Sequence, residues 1–207
     1  VNDAPVINTA STLQINENST SLGTVSISDA DNDQTTLSLT GTDAASFELS
    51  SSNGLSFKTA PDYETKTSYS LTLSVTDGQV TVTKDITIAV VNLNDNTPYI
   101  NSSSTYSVAE SSTAVGAVYA IDADGDSITY TISGVNASLL DLTSAGDLSL
   151  KAEADYEART LYSAIVTASD GTNSSSKAIS ISVINDTFDD LIPPDKLNLV
   201  ETQKEAE

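Results

Sequence analysis

"SYSLTLSVTDGQVTVTKDITIAVVNLNDNTP", residues 68 to 98, holds two strand-like runs, a turn and a connector in one piece. In residues 68–76 and 80–91, apolar side chains alternate mostly with Ser, Thr or Lys, the period-2 pattern of a strand with one wet face. "DGQ" separates the two runs with turn chemistry. The second run then stops at "NLNDNTP", residues 92 to 98, whose Asn, Asp and Pro are poor strand formers and good turn formers. Such a dense cluster of side-chain oxygens at a strand end demands a physical reason.

The whole stretch has a partner elsewhere in the chain. Glu17 maps to Glu110, Asp29 to Asp122, Asp31 to Asp124, Asp62 to Asp155, Glu64 to Glu157, Tyr69 to Tyr162 and Asp77 to Asp170, each pair 93 residues apart without a gap. An offset kept in phase over most of the chain means two copies of one module. The strand-like runs repeat as well: "SLGTVSIS" with "TAVGAVYAI", "TTLSLTG" with "SITYTISG", "GLSFKT" with "GDLSLK", and "SYSLTLSVTD" with "LYSAIVTASD". About seven short strands per copy, divided by turn clusters such as "DADND" and "DADGD", imply an all-β fold of two tandem antiparallel β-sandwiches, with Greek-key topology by analogy. The expected divisions are residues 1–95, residues 96–186 and a tail or linker over 187–207, "TFDDLIPPDKLNLVETQKEAE", which leaves the pattern. Because the chain opens on "VNDAP", a partial copy of "LNDNTP", it is expected to begin inside a connector from an earlier repeat.

Composition narrows the chemistry. Twenty-nine acidic residues face eight basic ones, for a net charge of −21 with no histidine, so nucleic acid and anionic membrane surfaces are poor partners and cations good ones. There is no cysteine, so neither disulfides nor thiolate sites can staple the fold, and any staple must use oxygen ligands. Without His or Cys, the Ser-His and Cys-His nucleophiles and histidine-bound zinc are excluded within these residues. Asp62 with Glu64 could serve glycoside hydrolysis, but their duplication at Asp155 and Glu157 fits a repeated structural joint better than a catalytic pair. The expected class is not an enzyme. No apolar run approaches the length of a bilayer span.

Five elements recur in order: an early Glu ("NENS", "AESS"), the "DAD" pair, "DYE", a late "TDG" or "SDG", and the connector "NLNDNTP". In this combination, over residues 1 to about 186, the chain resembles the cadherin repeats in their bacterial form. The resemblance implies about three calcium ions between successive repeats, held by hard oxygen ligands. It assigns Glu17, Asp62 and Glu64 from the first copy, Asn94, Asp95 and Asn96 from the connector, and Asp122, Asp124 and Asp170 from the second copy. Asn96 is expected to act through its backbone carbonyl, as Leu93 would. Asn92 stands where the family usually has Asp, which keeps an oxygen but removes a charge. Packed together without metal, the carboxylates of this set would repel one another and splay the modules; with metal the connector becomes a rigid joint. By the same logic Asn2, Asp3, Asp29, Asp31 and Asp77 form half of an upstream joint, and Glu110, Asp155, Glu157, Asn185 and Asp186 half of a downstream one.

Two other readings of the acids fail. "DADGDSITYTIS" has Ser127 and Ser133 where a helix-flanked calcium loop needs Gly and Glu. Asx-turns on an acidic surface account for one "DAD" but not for Glu17, "DYE" and "NDN" in register. What the resemblance implies is an extracellular or cell-surface protein, bacterial in type, in which calcium stiffens a tandem array for cell–cell or cell–matrix adhesion. Its partners are then calcium, neighbouring repeats, and itself, another surface protein or a polysaccharide; a passive rigid spacer and a calcium-dependent polysaccharide-binding module are the alternatives. The strand exchange anchored by tryptophan in vertebrate classical cadherins does not carry over, because Trp is absent. Sugar sites present aromatic faces; Tyr63, Tyr69, Tyr156 and Tyr162 recur and read as packing, while Tyr99, Tyr106, Tyr119 and Tyr130, which lack a repeat counterpart, are the better sugar candidates, with core or boundary roles the first reading for them too. The Asn-x-Ser/Thr sequons at Asn18, Asn101, Asn136, Asn173 and Asn185 are assigned no role.

Overall fold

The computed structural model describes residues 1–186; the expected tail, 187–207, lies outside the described residues. The chain divides into a first unit, Val1–Leu93, and a second that begins at Asn94. In the first unit the strands are β1 (Val6–Ile7), β2 (Thr12–Asn16), β3 (Ser21–Thr24), β4 (Ile27–Ser28), β5 (Thr36–Thr40), β6 (Phe47–Leu49), β7 (Gly54–Phe57), β8 (Ser68–Thr76) and β9 (Thr81–Val91). The second unit repeats them as β10 (Tyr99–Ile100), β11 (Thr105–Ala109), β12 (Ala114–Ala117), β13 (Ala120–Ile121), β14 (Thr129–Ser133), β15 (Leu140–Leu142), β16 (Asp147–Leu150), β17 (Leu161–Ser169) and β18 (Ser174–Ile184). Each unit is a sandwich of a four-stranded sheet, β2-β9-β8-β5 or β11-β18-β17-β14, and a three-stranded one, β3-β7-β6 or β12-β16-β15, with a two-stranded ribbon, β1-β4 or β10-β13.

Pairing is antiparallel with one systematic exception. The first full strand of each unit lies parallel to its last, β2 beside β9 and β11 beside β18. Parallel neighbours run the same way, so the chain enters a unit at one end and leaves it at the other.

Alternation places the cores. Leu71, Leu73 and Val75 of β8 and Ile86 and Ile88 of β9 are buried, as are Val166 of β17 and Ile179 and Ile181 of β18. Burying each such side chain contributes about 1.5–3 kcal/mol. In the first unit Phe47, Phe57 and Tyr69 stack at centroid separations of 4.2 to 5.9 Å.

Lys84 and Lys177 depart from the sequence reading, which placed lysine on the wet face. They share parity with the buried Ile86 and Ile179, and the ammonium of Lys84 donates to the carbonyls of Ile7 and Thr9 at 3.3 and 2.6 Å. Lys177 makes the same clip to Ile100 and Ser102. The aliphatic stem covers the core edge while main-chain carbonyls solvate the charge.

The run "SLGTVSIS" is not one strand. It splits into β3, which joins the three-stranded sheet, and β4, which joins β1, with Val25 buried between them. "TAVGAVYAI" splits likewise around Val118. A bulge between Ser21 and Gly23, and another between Ala114 and Gly116, bends the chain so that it can change sheets. The short β2 and β6 were not legible as separate runs, because five and three residues carry too little periodicity.

Gly146 closes the turn before β16 with φ +93°, and a Cβ there would lie 2.2 Å from the carbonyl oxygen of Val118. Gly146→Ala is expected to destabilise the second unit by about 2 kcal/mol or more, the sum of left-handed strain and a backbone clash. In urea unfolding this appears as an earlier transition of that unit with the first unchanged.

Candidate metal centre

The parallel strand pair sets the chemistry at each end. In the first unit it ends with Asn16 opposite Val91, so Glu17 and the connector emerge side by side. The loop carrying "DYE" is drawn to the same place, because the Asn18 N–H donates to the Pro61 carbonyl at 3.0 Å. Glu17 is 2% exposed, and its two oxygens accept from the Tyr63 N–H at 2.9 Å and the Leu93 N–H at 2.7 Å. One buried carboxylate thereby ties the loop to the chain's exit.

Asp62 sits in that loop, but its carboxylate accepts from the hydroxyl and N–H of Thr65 at 2.9 and 3.2 Å and so caps the turn. The Thr65 hydroxyl is the main cause holding its pKa below the usual carboxylate range. Glu64 is exposed in the same loop yet brings a carboxylate oxygen within 4.8 Å of one of Glu17, and Asn92 is half-buried.

The corresponding end of the second unit copies this arrangement. Glu110 accepts from the Asp186 N–H at 2.9 Å and the Tyr156 N–H at 2.8 Å, which hold its pKa down. Oxygens of Glu110, Asp155 and Glu157 come within 4.8 Å of one another there.

At the entry end of the second unit, Asp122 folds the "DADGD" loop around one oxygen, which accepts from the Asp124 and Asp126 N–H groups at 3.1 and 3.4 Å. Asp124 accepts from the Asp95 and Asn96 N–H groups at 3.1 and 2.8 Å, and from the Asn96 amide at 2.9 Å. Asp170 accepts from the N–H groups of Thr172 and Asn173 at 2.7 and 2.6 Å. The Asn173 amide in turn donates to the Asn94 side chain at 3.4 Å and the Asn96 carbonyl at 3.2 Å. The structure therefore gathers Asn94, Asp95, Asn96, Asp122, Asp124 and Asp170 at one end of one unit.

Two oxygens of this set decide what it can hold. Asp122 Oδ2 and Asp170 Oδ2 are buried without a hydrogen-bond partner. The first unit repeats the feature at Asp29 Oδ2, while Asp29 Oδ1 accepts from Asp31 and Asp33. A buried carboxylate oxygen lacking a donor is costly. Oxygens of Asp122, Asp124 and Asp126 also lie within 4.8 Å of one another. Clustered, all-oxygen and short of donors, the set fits a hard divalent cation such as calcium.

Two contributors escaped the sequence reading. Asp126 joins the Asp122 and Asp124 oxygens, and its counterpart Asp33 joins Asp29 and Asp31; the third acid of the loop was the available signal. Asn173 orients Asn94 and the Asn96 carbonyl, but its counterpart in the first copy is Val80, so the repeat alignment could not flag it.

Burial pushes the Asp170 carboxyl up, and the Asn173 and Thr172 N–H groups outweigh it to hold the pKa below the usual range. Asp77 is held low by Val80, Asn2 and Gln79. A pKa lower in the folded state gives stability that is present above the unfolded value and lost as pH falls through the folded one. In chelator, thermal stability should be flat near neutrality and fall below a pH of about 4. Asp77→Asn should flatten that acid limb measured by circular dichroism.

Residues 2–89 match the family model of the bacterial Ig domain. Cadherin-87A of Drosophila melanogaster is 33% identical over 148 residues, 66% of this chain and 7% of that protein. The Fat-like cadherin-related tumor suppressor homolog of the same organism is 40% identical over 72 residues, 34% of this chain and 2% of that protein. The chain thus spans only a small part of the curated relatives it matches. The crystal structure of human protocadherin-24 EC1-2 superposes with a TM-score of 0.79 at 23% identity, covering 90% of this chain and 100% of that one. The repeated sandwich has the fold of cadherin extracellular repeats, and these matches support a cadherin-like tandem repeat domain.

Proposed function

We propose that the chain is a calcium-binding, extracellular adhesion-type module in which Ca2+ at the inter-repeat connector stiffens a tandem array. The observation that carries this reading is the pair of buried, donorless oxygens on Asp122 and Asp170, beside connector residues held by Asp124 and Asn173. Calcium supplies six to eight coordination positions for such oxygens at the millimolar to submillimolar affinities of extracellular modules.

Each residue has a distinct part. Asp122, Asp124 and Asp170 present carboxylates from loops that backbone N–H groups already hold in shape. Asn96 offers its carbonyl, and Asp95 and Asn94 bring connector oxygens. Glu17, Asp62 and Glu64 are the first repeat's contribution, with Asn92 and Leu93 at its exit. Neutralising these acids removes the repulsion that works against an extended array. The module then acts mechanically, holding a binding surface away from the cell. The cell-surface location and the bacterial type belong to the same proposal, as does the absence of catalysis.

Calorimetric titration of chelator-treated protein with calcium tests it. About three ions should bind per chain, with Asp122→Asn and Asp95→Ala each weakening the connector set about tenfold or more. Absence of binding, or binding indifferent to both substitutions, would sink the reading. Sedimentation with and without calcium then separates a spacer, which stays monomeric, from a module that associates with itself.

A further inference from the structure

The ribbon of β10 and β13 turns one face to solvent. Tyr99 lies opposite Ile121, and Asn101 opposite Tyr119, whose carbonyl accepts from the Asn101 N–H at 3.0 Å. Between them Ile100 is buried, so the four flanking residues point the same way. Tyr99, Tyr119 and Ile121 are 66%, 61% and 58% exposed, although large side chains of this kind usually find cover.

The first repeat supplies an internal control. Its equivalent positions are Val6, Asn8, Ser26 and Ser28, with Val6 opposite Ser28 and the Asn8 N–H on the Ser26 carbonyl at 2.8 Å. The same ribbon therefore forms with two serines where the second repeat has Tyr119 and Ile121. Folding does not require the apolar pair, and its exposure calls for another explanation.

Charge selects the occupant. The face of Tyr99, Asn101, Tyr119 and Ile121 carries no charged side chain, in a chain of net charge −21. That charge repels anionic polymers and a second copy of the chain alike. A pyranose ring offers an apolar C–H face to an aromatic ring and hydroxyls to its surroundings, and the Asn101 amide offers a donor and an acceptor beside the rings. Diagonal neighbours on such a ribbon stand about 7–8 Å apart, which lets two rings contact one chain.

Of the four tyrosines without repeat counterparts, two are already engaged. The Tyr106 hydroxyl donates to the Ala117 carbonyl at 3.2 Å, and the Tyr130 hydroxyl accepts from the Ala120 N–H at 2.9 Å. Tyr99 and Tyr119 remain as exposed faces.

We infer that the Tyr99–Tyr119–Ile121 face of the second repeat binds a neutral polysaccharide chain. The assignment goes beyond the calcium reading and does not rest on it. The test is affinity electrophoresis of the whole chain in native gels cast with hydroxyethyl cellulose, pullulan or galactomannan, run in calcium and in chelator, with carboxymethyl cellulose as the anionic comparison. The variant combines Tyr99→Val, Tyr119→Ser and Ile121→Ser, residues that the first repeat already accommodates in this ribbon. The expected result is retardation by at least one neutral polymer, weakened about tenfold or more in the variant, as for loss of two aromatic anchors. No retardation by any neutral polymer, equal retardation by the carboxylated one, or a variant as retarded as the parent overturns the inference. So does concentration-dependent sedimentation that the variant abolishes while neither protein is retarded, since the face would then serve a second copy. Because every gel is run with and without calcium, failure of calcium binding in the titration leaves this outcome readable.

Discussion

In each repeat the first full strand is hydrogen-bonded to the last in the same direction, and the rest of the arrangement follows from that pairing. Strands that lie side by side and parallel carry the chain in at one end of the sandwich and out at the other. The residues just past them, Glu17 beside Leu93 and Glu110 beside Asp186, therefore meet at the exit end. Loops from elsewhere in the sandwich reach that end through backbone bonds, and the "DYE" element arrives with them. A fold with entrance and exit on one side would have scattered the same acids.

Electrostatics then explains why those ends are made as they are. Clustered carboxylates in a metal-free state would be expected to push the loops apart, yet backbone N–H groups hold one oxygen of Asp29, Asp122 and Asp170 in place. The second oxygen of each is buried and without a donor. In the proposed calcium reading, these loops supply the shape of a cation site and the remaining ligand positions fall to the ion. Such preorganisation lowers the ordering cost of binding.

The two repeats also show which positions the fold constrains. Lys84 and Lys177 make the same clip, and Glu17 and Glu110 the same tie, because each satisfies main-chain groups that both sandwiches share. Asp43 and Asn136 both accept from a backbone N–H, of Ser70 and Ser163, so an amide serves as well as a carboxylate. Asp43 also pairs with Lys66, whose hydrogen bond is the main cause of its lowered pKa. Where the copies part company, at Tyr119 and Ile121 against Ser26 and Ser28, the fold is indifferent and the difference belongs to the surface.

The sequence by itself determined the repeat and the all-β class, because the offset of 93 residues and the alternation of apolar side chains are local properties that survive without coordinates. It also carried the contrast between Asn8 and Asn101, kept, and Ser26 and Tyr119, changed. Only the tertiary structure decided that "SLGTVSIS" divides between two sheets, that Lys84 lies on the core-facing side, and that Asp62 caps a turn while Asp122 and Asp170 keep an oxygen without a donor. Those outcomes depend on which backbone groups arrive from distant strands. No window of residues contains that information, because hydrogen-bond partners 75 or 76 positions apart are brought together only when the sheets close.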